Sequence, residues 1–213
     1  MKFIDYNSPE KDIIKDKFTT IPYMDIWICS IVEGYIYEKV SVVNEYSGTK
    51  EEYIERYGKK EGEYKMWHPN GKIKRQSYYK EGKEEGEFKW LWDNGQLHIK
   101  WYYKEGKIEG EYKNWYEDGQ LQYQEYYKEG KKEGESKMWH PNGQLWVQRY
   151  YKEGELDGES KTWHPNGQLR YQYSYKEGKL DGEAKEWNEL SDLIVYKIYT
   201  GGEVVEDLLL TLN

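Results

Sequence analysis

The sequence predicts an all-β chain built from tandem β-hairpins, and three observations predict it. The stretch YKEGKIEGEYKNWYEDGQLQYQEY from Tyr103 is followed at once by YKEGKKEGESKMWHPNGQLWVQRY from Tyr127, which sets a period of 24 residues. Further copies begin at Tyr79, Tyr151 and Tyr175, with weaker ones at Glu55 and Tyr199. Each copy holds two segments of alternating character separated by two turn signals. No run of about ten residues escapes a glycine or a turn pair, so a helix has nowhere to start. A tandem array replaces the single core of a globular domain with a chain of neighbour contacts.

Residues 1–24 fall outside the repeat. Ser8-Pro9-Glu10 predicts a short helix through Lys17, with Ser8 as its cap and Pro9 at the first helical position. Residues 25–57 read as a degenerate capping hairpin, IWICSIV and YIYEKVSVV joined at Glu33-Gly34; Gly34 lies 24 residues before Gly58. Such caps cover an edge that would otherwise pair with other chains. Residues 58–202 are the tandem repeats. In each, a Lys-Glu-Gly-Lys turn such as Lys104 to Lys107 is closed by a second glycine such as Gly110, and the segment Glu111 to Tyr116 follows. Next comes Asn70-Gly71, Asn94-Gly95, Asp118-Gly119, Asn142-Gly143 or Asn166-Gly167. These pairs read as type I′ turns with both central residues at positive φ. The last segment runs from Gln120 to Lys128. Toward the C-terminus Trp187 keeps the phase, Leu190-Ser191 replaces the turn pair, and residues 203–213 close the far edge as a strand or one helical turn.

Alternation gives two unlike faces. After the Asn-Gly turn one face takes Leu97, Ile99, Trp101 and Tyr103, or Leu169, Tyr171, Tyr173 and Tyr175; the other takes Gln96, His98, Lys100 and Tyr102. In the other segment Trp115, Trp139, Trp163 and Trp187 recur in phase with Glu63, Glu87, Glu111, Glu135, Glu159 and Glu183 and with Lys65, Lys89, Lys113, Lys137, Lys161 and Lys185. The charged files read as a solvated ion-pair ladder.

The unit resembles the MORN repeat, and more closely the variant repeat of bacterial YwqK-type antitoxins. The matching residues are Tyr103, Gly106, Lys107, Gly110, Trp115 and the Asp118-Gly119 turn, and the resemblance covers about Gly58 to Gly202. Where the common pattern has further glycines, this chain has Tyr112, Ser136 or Ser160, and Trp101, Glu125 or Arg149. The resemblance implies an elongated single-layer antiparallel β-meander that acts as a scaffold and binding platform, without a catalytic centre in the repeats. Its antitoxin branch implies a toxin as the partner.

Composition bounds the function. Only 37% of residues are hydrophobic and 34% are charged, but 10 Trp and 24 Tyr supply the surface a core needs. The core is therefore a thin seam between neighbouring hairpins. A net charge of −8 disfavours nucleic acid and anionic membrane surfaces and favours a basic protein partner. Cys29 is the only cysteine, which excludes an intrachain disulfide; its apolar neighbours make it a small buried hydrophobe. With no signal-length apolar run and no stretch of about 18 apolar residues, the expected compartment is the cytoplasm.

No constellation carries catalysis, a cofactor or a metal. His68, His140 and His164 precede proline at equivalent positions, and His140 and His164, two strands apart, lie too far apart for one zinc ion. They read as turn-flanking rings. Paired carboxylates recur in every copy, whereas an active site should break the symmetry of the repeat. The aromatic stripes have two readings, packing along the seam or an exposed recognition surface. Trp90, Trp92, Trp101 and Trp146 depart from their equivalents and are the candidate partner-binding residues; Leu91 stands where other copies have Trp. The function expected is a non-enzymatic protein–protein interaction scaffold, an antitoxin or immunity protein that masks a toxin. The alternative is a carbohydrate-binding module using Trp and Tyr platforms, against which a cytoplasmic address counts.

Overall fold

A computed structural model describes residues 3–5, 28–32 and 35–209, with side chains from residue 37. The helix expected over Ser8–Lys17, the Glu33-Gly34 turn, the side chain of Cys29 and residues 210–213 lie outside the described residues. The described chain is all-β and antiparallel, without a helix, and therefore without a helix long and apolar enough to cross a membrane.

Contacts divide the chain into two compact units, Met1–Lys107 and Ile108–Asn213. In the first, Phe3–Asp5, Ile28–Val32, Tyr35–Val43, Lys50–Arg56, Gly62–Trp67, Ile73–Lys80, Gly86–Leu91 and Leu97–Lys104 pair in chain order. In the second the order is Gly110–Trp115, Leu121–Lys128, Gly134–Trp139, Leu145–Lys152, Glu155–Trp163, Leu169–Lys176, Lys179–Trp187, Leu193–Thr200 and Glu203–Asp207. From Ile28 onward each unit is a meander, because the connections between successive strands are too short to do anything but return the chain beside itself.

The Asn-Gly turns are not of the type expected of them. At the Asn-Gly sites only the glycine is left-handed, with φ 82° at Gly71 and 91° at Gly95. The Gly71 amide donates to the His68 carbonyl at 2.9 Å, and the His68 amide donates to the Lys72 carbonyl at 2.8 Å. This is a type I turn with a left-handed glycine behind it, not type I′. Pro69 sets the first central residue near −65°, and the Asn70 carboxamide oxygen accepts from the Lys72 amide at 3.0 Å. Asp118 does the same for Gln120 at 2.9 Å, and Asn142 for Gln144 at 3.0 Å. The consecutive positive φ values belong instead to the Glu-Gly pairs, 52° and 82° at Glu81-Gly82 and 52° and 81° at Glu129-Gly130. Those are the type I′ turns. A carboxylate 20 residues upstream holds each left-handed residue: Glu61 accepts from the Glu81 amide, and Glu109 from that of Glu129, both at 2.7 Å.

The two faces differ as expected, but their phase breaks. Ion pairs join Lys65 to Glu63, Lys113 to Glu111, Lys161 to Glu159 and Lys185 to Glu183 at 2.7–2.8 Å, so the charged ladder is made of pairs within single strands. A bulge follows each Asn-Gly turn. Leu97 stands opposite Leu91 while Ile99 stands opposite Trp90, so Leu97 does not share a face with Ile99, nor Leu169 with Tyr171. One extra residue per hairpin, such as His98 or Arg170, shifts the alternation.

In each unit, on the face away from the ladder, most of the buried residues form a file at mid-strand. Tyr64 (2% exposed) stands opposite Ser77, Phe88 opposite Trp101, Glu125 (3%) opposite Tyr112, and Ser136 opposite Arg149. These are the positions where the chain carries bulk in place of glycine. Large and small side chains alternate across the pairs, which lets a single layer shield its own centre. The tryptophans expected to fill the seam, among them Trp115, Trp139 and Trp163, end their strands half-buried.

Candidate functional site: an aromatic groove in the second unit

On the packed face of the second unit, Asn114 stands opposite Tyr123, Tyr123 opposite Met138, and Met138 opposite Val147. The bulges make Gln122 and Trp146 the extra residues of their strands. A bulged side chain escapes the alternation, and Trp146 is 43% exposed, the one exposed tryptophan among the described residues. Between these elements lies a groove of about 220 Å³. Tyr116, Tyr123, Trp139 and Trp146 line it with Met138, and its polar members are Asn114 and Gln122.

The rings are held from behind. The Tyr116 hydroxyl donates to the Trp139 carbonyl at 2.8 Å, and the His140 ring stacks on Trp146 with centroids 5.3 Å apart. Buried Glu125 accepts from the Tyr123 and Tyr127 hydroxyls, the latter at 2.6 Å, and pairs with the Lys132 ammonium at 2.8 Å. Burial, then the bond to Glu125, pushes both phenols above their ordinary pKa. Burial opposes the charge of Lys132, yet its bonds to Glu125 and Tyr123 outweigh that and hold its pKa above the ordinary value.

Two buried polar atoms here have no hydrogen-bond partner among the described residues, Asn114 Oδ1 and His140 Nε2. His140 differs from its equivalents. The Nε2 of His68 lies 3.0 Å from the Leu91 carbonyl and that of His164 lies 3.1 Å from the Trp187 carbonyl, each clipping the following hairpin. The His140 ring instead backs Trp146.

The other candidate anchors lie in the first unit. Trp101 stacks on Phe88 at 4.0 Å and 7°, and Trp90 lies 6.4 Å from the same ring, so these two are brought together in the packed face. The Arg75 guanidinium lies 4.6 Å from the Tyr64 ring and 4.8 Å from the Phe88 ring, and bonds Glu84 at 2.5 Å. Trp92 stands apart on the His98 ring. Sequence reasoning singled out Trp146 but missed Asn114, Tyr116, Gln122, Tyr123 and Met138 as its neighbours. The repeat gave little signal for Asn114: the same position holds Met66, Trp90 and Met138, but also Thr162 and Glu186. No group of three or more His, Cys, Asp or Glu able to hold a metal occurs among the described residues.

The family model described as the MORN repeat variant matches residues 60–81, 84–105, 108–129, 132–153 and 156–177. No curated protein matches the chain. Repeats of this kind are in general binding repeats without enzymatic activity, used as scaffolds for protein or membrane partners. Five matched segments of 22 residues cover 110 of the 213, and each holds a strand, the Asn-Gly or Asp-Gly turn and a second strand, ending on the first residue of the next Glu-Gly turn; the chain belongs to the MORN repeat variant family.

Proposed function

We propose that the chain is a non-enzymatic scaffold that binds a basic protein partner through the groove beside Trp146. The observation that carries this reading is the exposed indole at the rim of a ring-lined groove. An exposed aromatic beside a pocket is the usual anchor of a protein interface. The net charge of −8 favours a basic partner by steering. The resemblance to YwqK-type antitoxins supports a toxin as that partner, masked when bound.

Comparative capture tests this. The wild-type chain and Trp146→Ser are used as baits against the native cell extract, with melting temperatures measured alongside. A basic protein held by the wild type and lost by Trp146→Ser at unchanged melting temperature supports the reading. Capture that ignores the substitution, or whose loss follows a fall in stability, overturns it.

A further inference from the structure

We propose that the groove is an aromatic cage for one cationic side chain, a lysine or arginine of the partner. This rests on the protein-binding reading above and names what the groove recognises.

The chain's own ring clusters show the pattern. Lys60 Nζ lies 4.3 Å from the Tyr53 ring and 4.5 Å from the Tyr64 ring, Arg75 sits between Tyr64 and Phe88, and Lys74 Nζ lies 5.5 Å from Trp90. In the second unit Arg170 lies 4.7 Å from the Tyr171 ring. Lys74 and Arg170 occupy one repeat position, and at that position the groove has Gln122 and Trp146. The position varies between copies, with His98 and Ile194 in the others, and the groove is where it carries a neutral amide and a further ring. Among the described residues no cation of the chain lies over Trp139 or Trp146, and Lys132, 5.8 Å from the Tyr123 ring, is already paired with Glu125. Lys113 and Lys137 belong to the ladder face, where Glu111 and Glu135 hold them at 2.8 and 2.6 Å.

The remaining chemistry selects the same occupant. The Tyr116 and Tyr123 hydroxyls are engaged, so these residues line the groove with their rings rather than with a free hydroxyl, and aromatic rings attract cations. Asn114 Oδ1 is an acceptor and nothing else, buried and unpaired, so its missing partner is a donor. An aliphatic side chain would leave it unpaired. A volume of about 220 Å³ falls below that of a pocket for a drug-sized molecule and suits one long side chain.

The test uses short Gly-Ser peptides, blocked at both ends, with one central lysine, arginine or norleucine. The full chain is labelled with ¹⁵N and the indole N–H signals of Trp139 and Trp146 are followed. The cationic peptides should move both signals and bind at least about fivefold more tightly than the norleucine peptide. Asn114→Asp, which adds a charge at the orphan acceptor, should tighten lysine binding about fivefold, and Trp146→Leu should weaken it by a similar factor. Equal shifts from norleucine, no shift from any peptide, or weaker lysine binding by a folded Asn114→Asp variant would overturn the cage. If the cage fails while capture of the partner still depends on Trp146, the protein-binding reading stands alone. If lysine binds but capture ignores Trp146, the anchoring reading is the one that falls.

Discussion

The indole of Trp92 lies on the imidazole of His98, ring centroids 3.6 Å apart and planes 23° apart. Two repeats further along the sequence, the same two positions hold His140 and Trp146, with the rings exchanged and 5.3 Å apart. Either order puts a stacked pair beside the Asn-Gly turn. The exchange decides which ring sits on the bulge, and in the second unit that ring is the exposed indole.

Burial alone pushes His98 below its ordinary pKa. The folded state therefore favours the neutral imidazole. Its contribution to stability is complete above the unfolded value of about 6.5 and is lost as pH falls through the lowered folded value. In a proton NMR titration His98 should show a midpoint below that of a free histidine. His98→Phe should remove this part of the acid sensitivity of the melting temperature, and an unchanged pH profile would refute the assignment.

Glu125 satisfies two hydroxyls and one ammonium while only 3% exposed. Glu125→Ala leaves the Tyr127 hydroxyl without its acceptor and the Lys132 ammonium without its counter-charge, and should cost about 3 kcal/mol by denaturant unfolding. The raised phenol of Tyr127 adds an alkaline signature. Its contribution is complete below the unfolded value near pH 10 and is lost as pH rises through the folded value. Tyr127→Phe should flatten the fall in melting temperature above about pH 10.

Turn chemistry can be tested one residue at a time. Glu129 holds φ 52°, a conformation that costs a non-glycine residue about 1 kcal/mol. Glu129→Gly relieves that strain but loosens the unfolded chain, so the two terms should nearly cancel, while Glu129→Asn should gain about 0.5 kcal/mol. Glu109→Ala removes the acceptor of the Glu129 amide and should lose about 1 kcal/mol. A larger loss with Glu129→Asn than with Glu109→Ala in chemical denaturation would contradict the assigned turn.

Trp101 and Trp146 should separate cleanly in stability. Trp101→Ala removes a ring stacked 4.0 Å from Phe88 and should cost about 3 kcal/mol. Trp146→Ser alters an exposed ring and should stay within about 0.5 kcal/mol. Thermal and urea unfolding of the two variants decide between them, and equal losses would mean that Trp146 is part of the packed face.

The sequence by itself determined the repeat, its 24-residue period, the hairpin and the places of both turns, because each of these is written in residues that touch within one copy. It also determined that Glu and Lys pair along one face, since residues two apart on a strand share that face. The tertiary structure decided which of the arrangements open to these residues each turn, bulge and packed cluster took. Pro69 and the Asn70 carboxamide favour a type I turn at Asn70-Gly71, and the type I′ turn lies at Glu81-Gly82. The bulges broke the alternation that had grouped Leu97 with Ile99. Glu125 became a buried residue only because Tyr123, Tyr127 and Lys132 converge on it. Asn114 became an unpaired acceptor only because the bulged Gln122 and Trp146 left a groove beside it rather than a cation. A period records what the copies share, and a site arises where the packed neighbours differ.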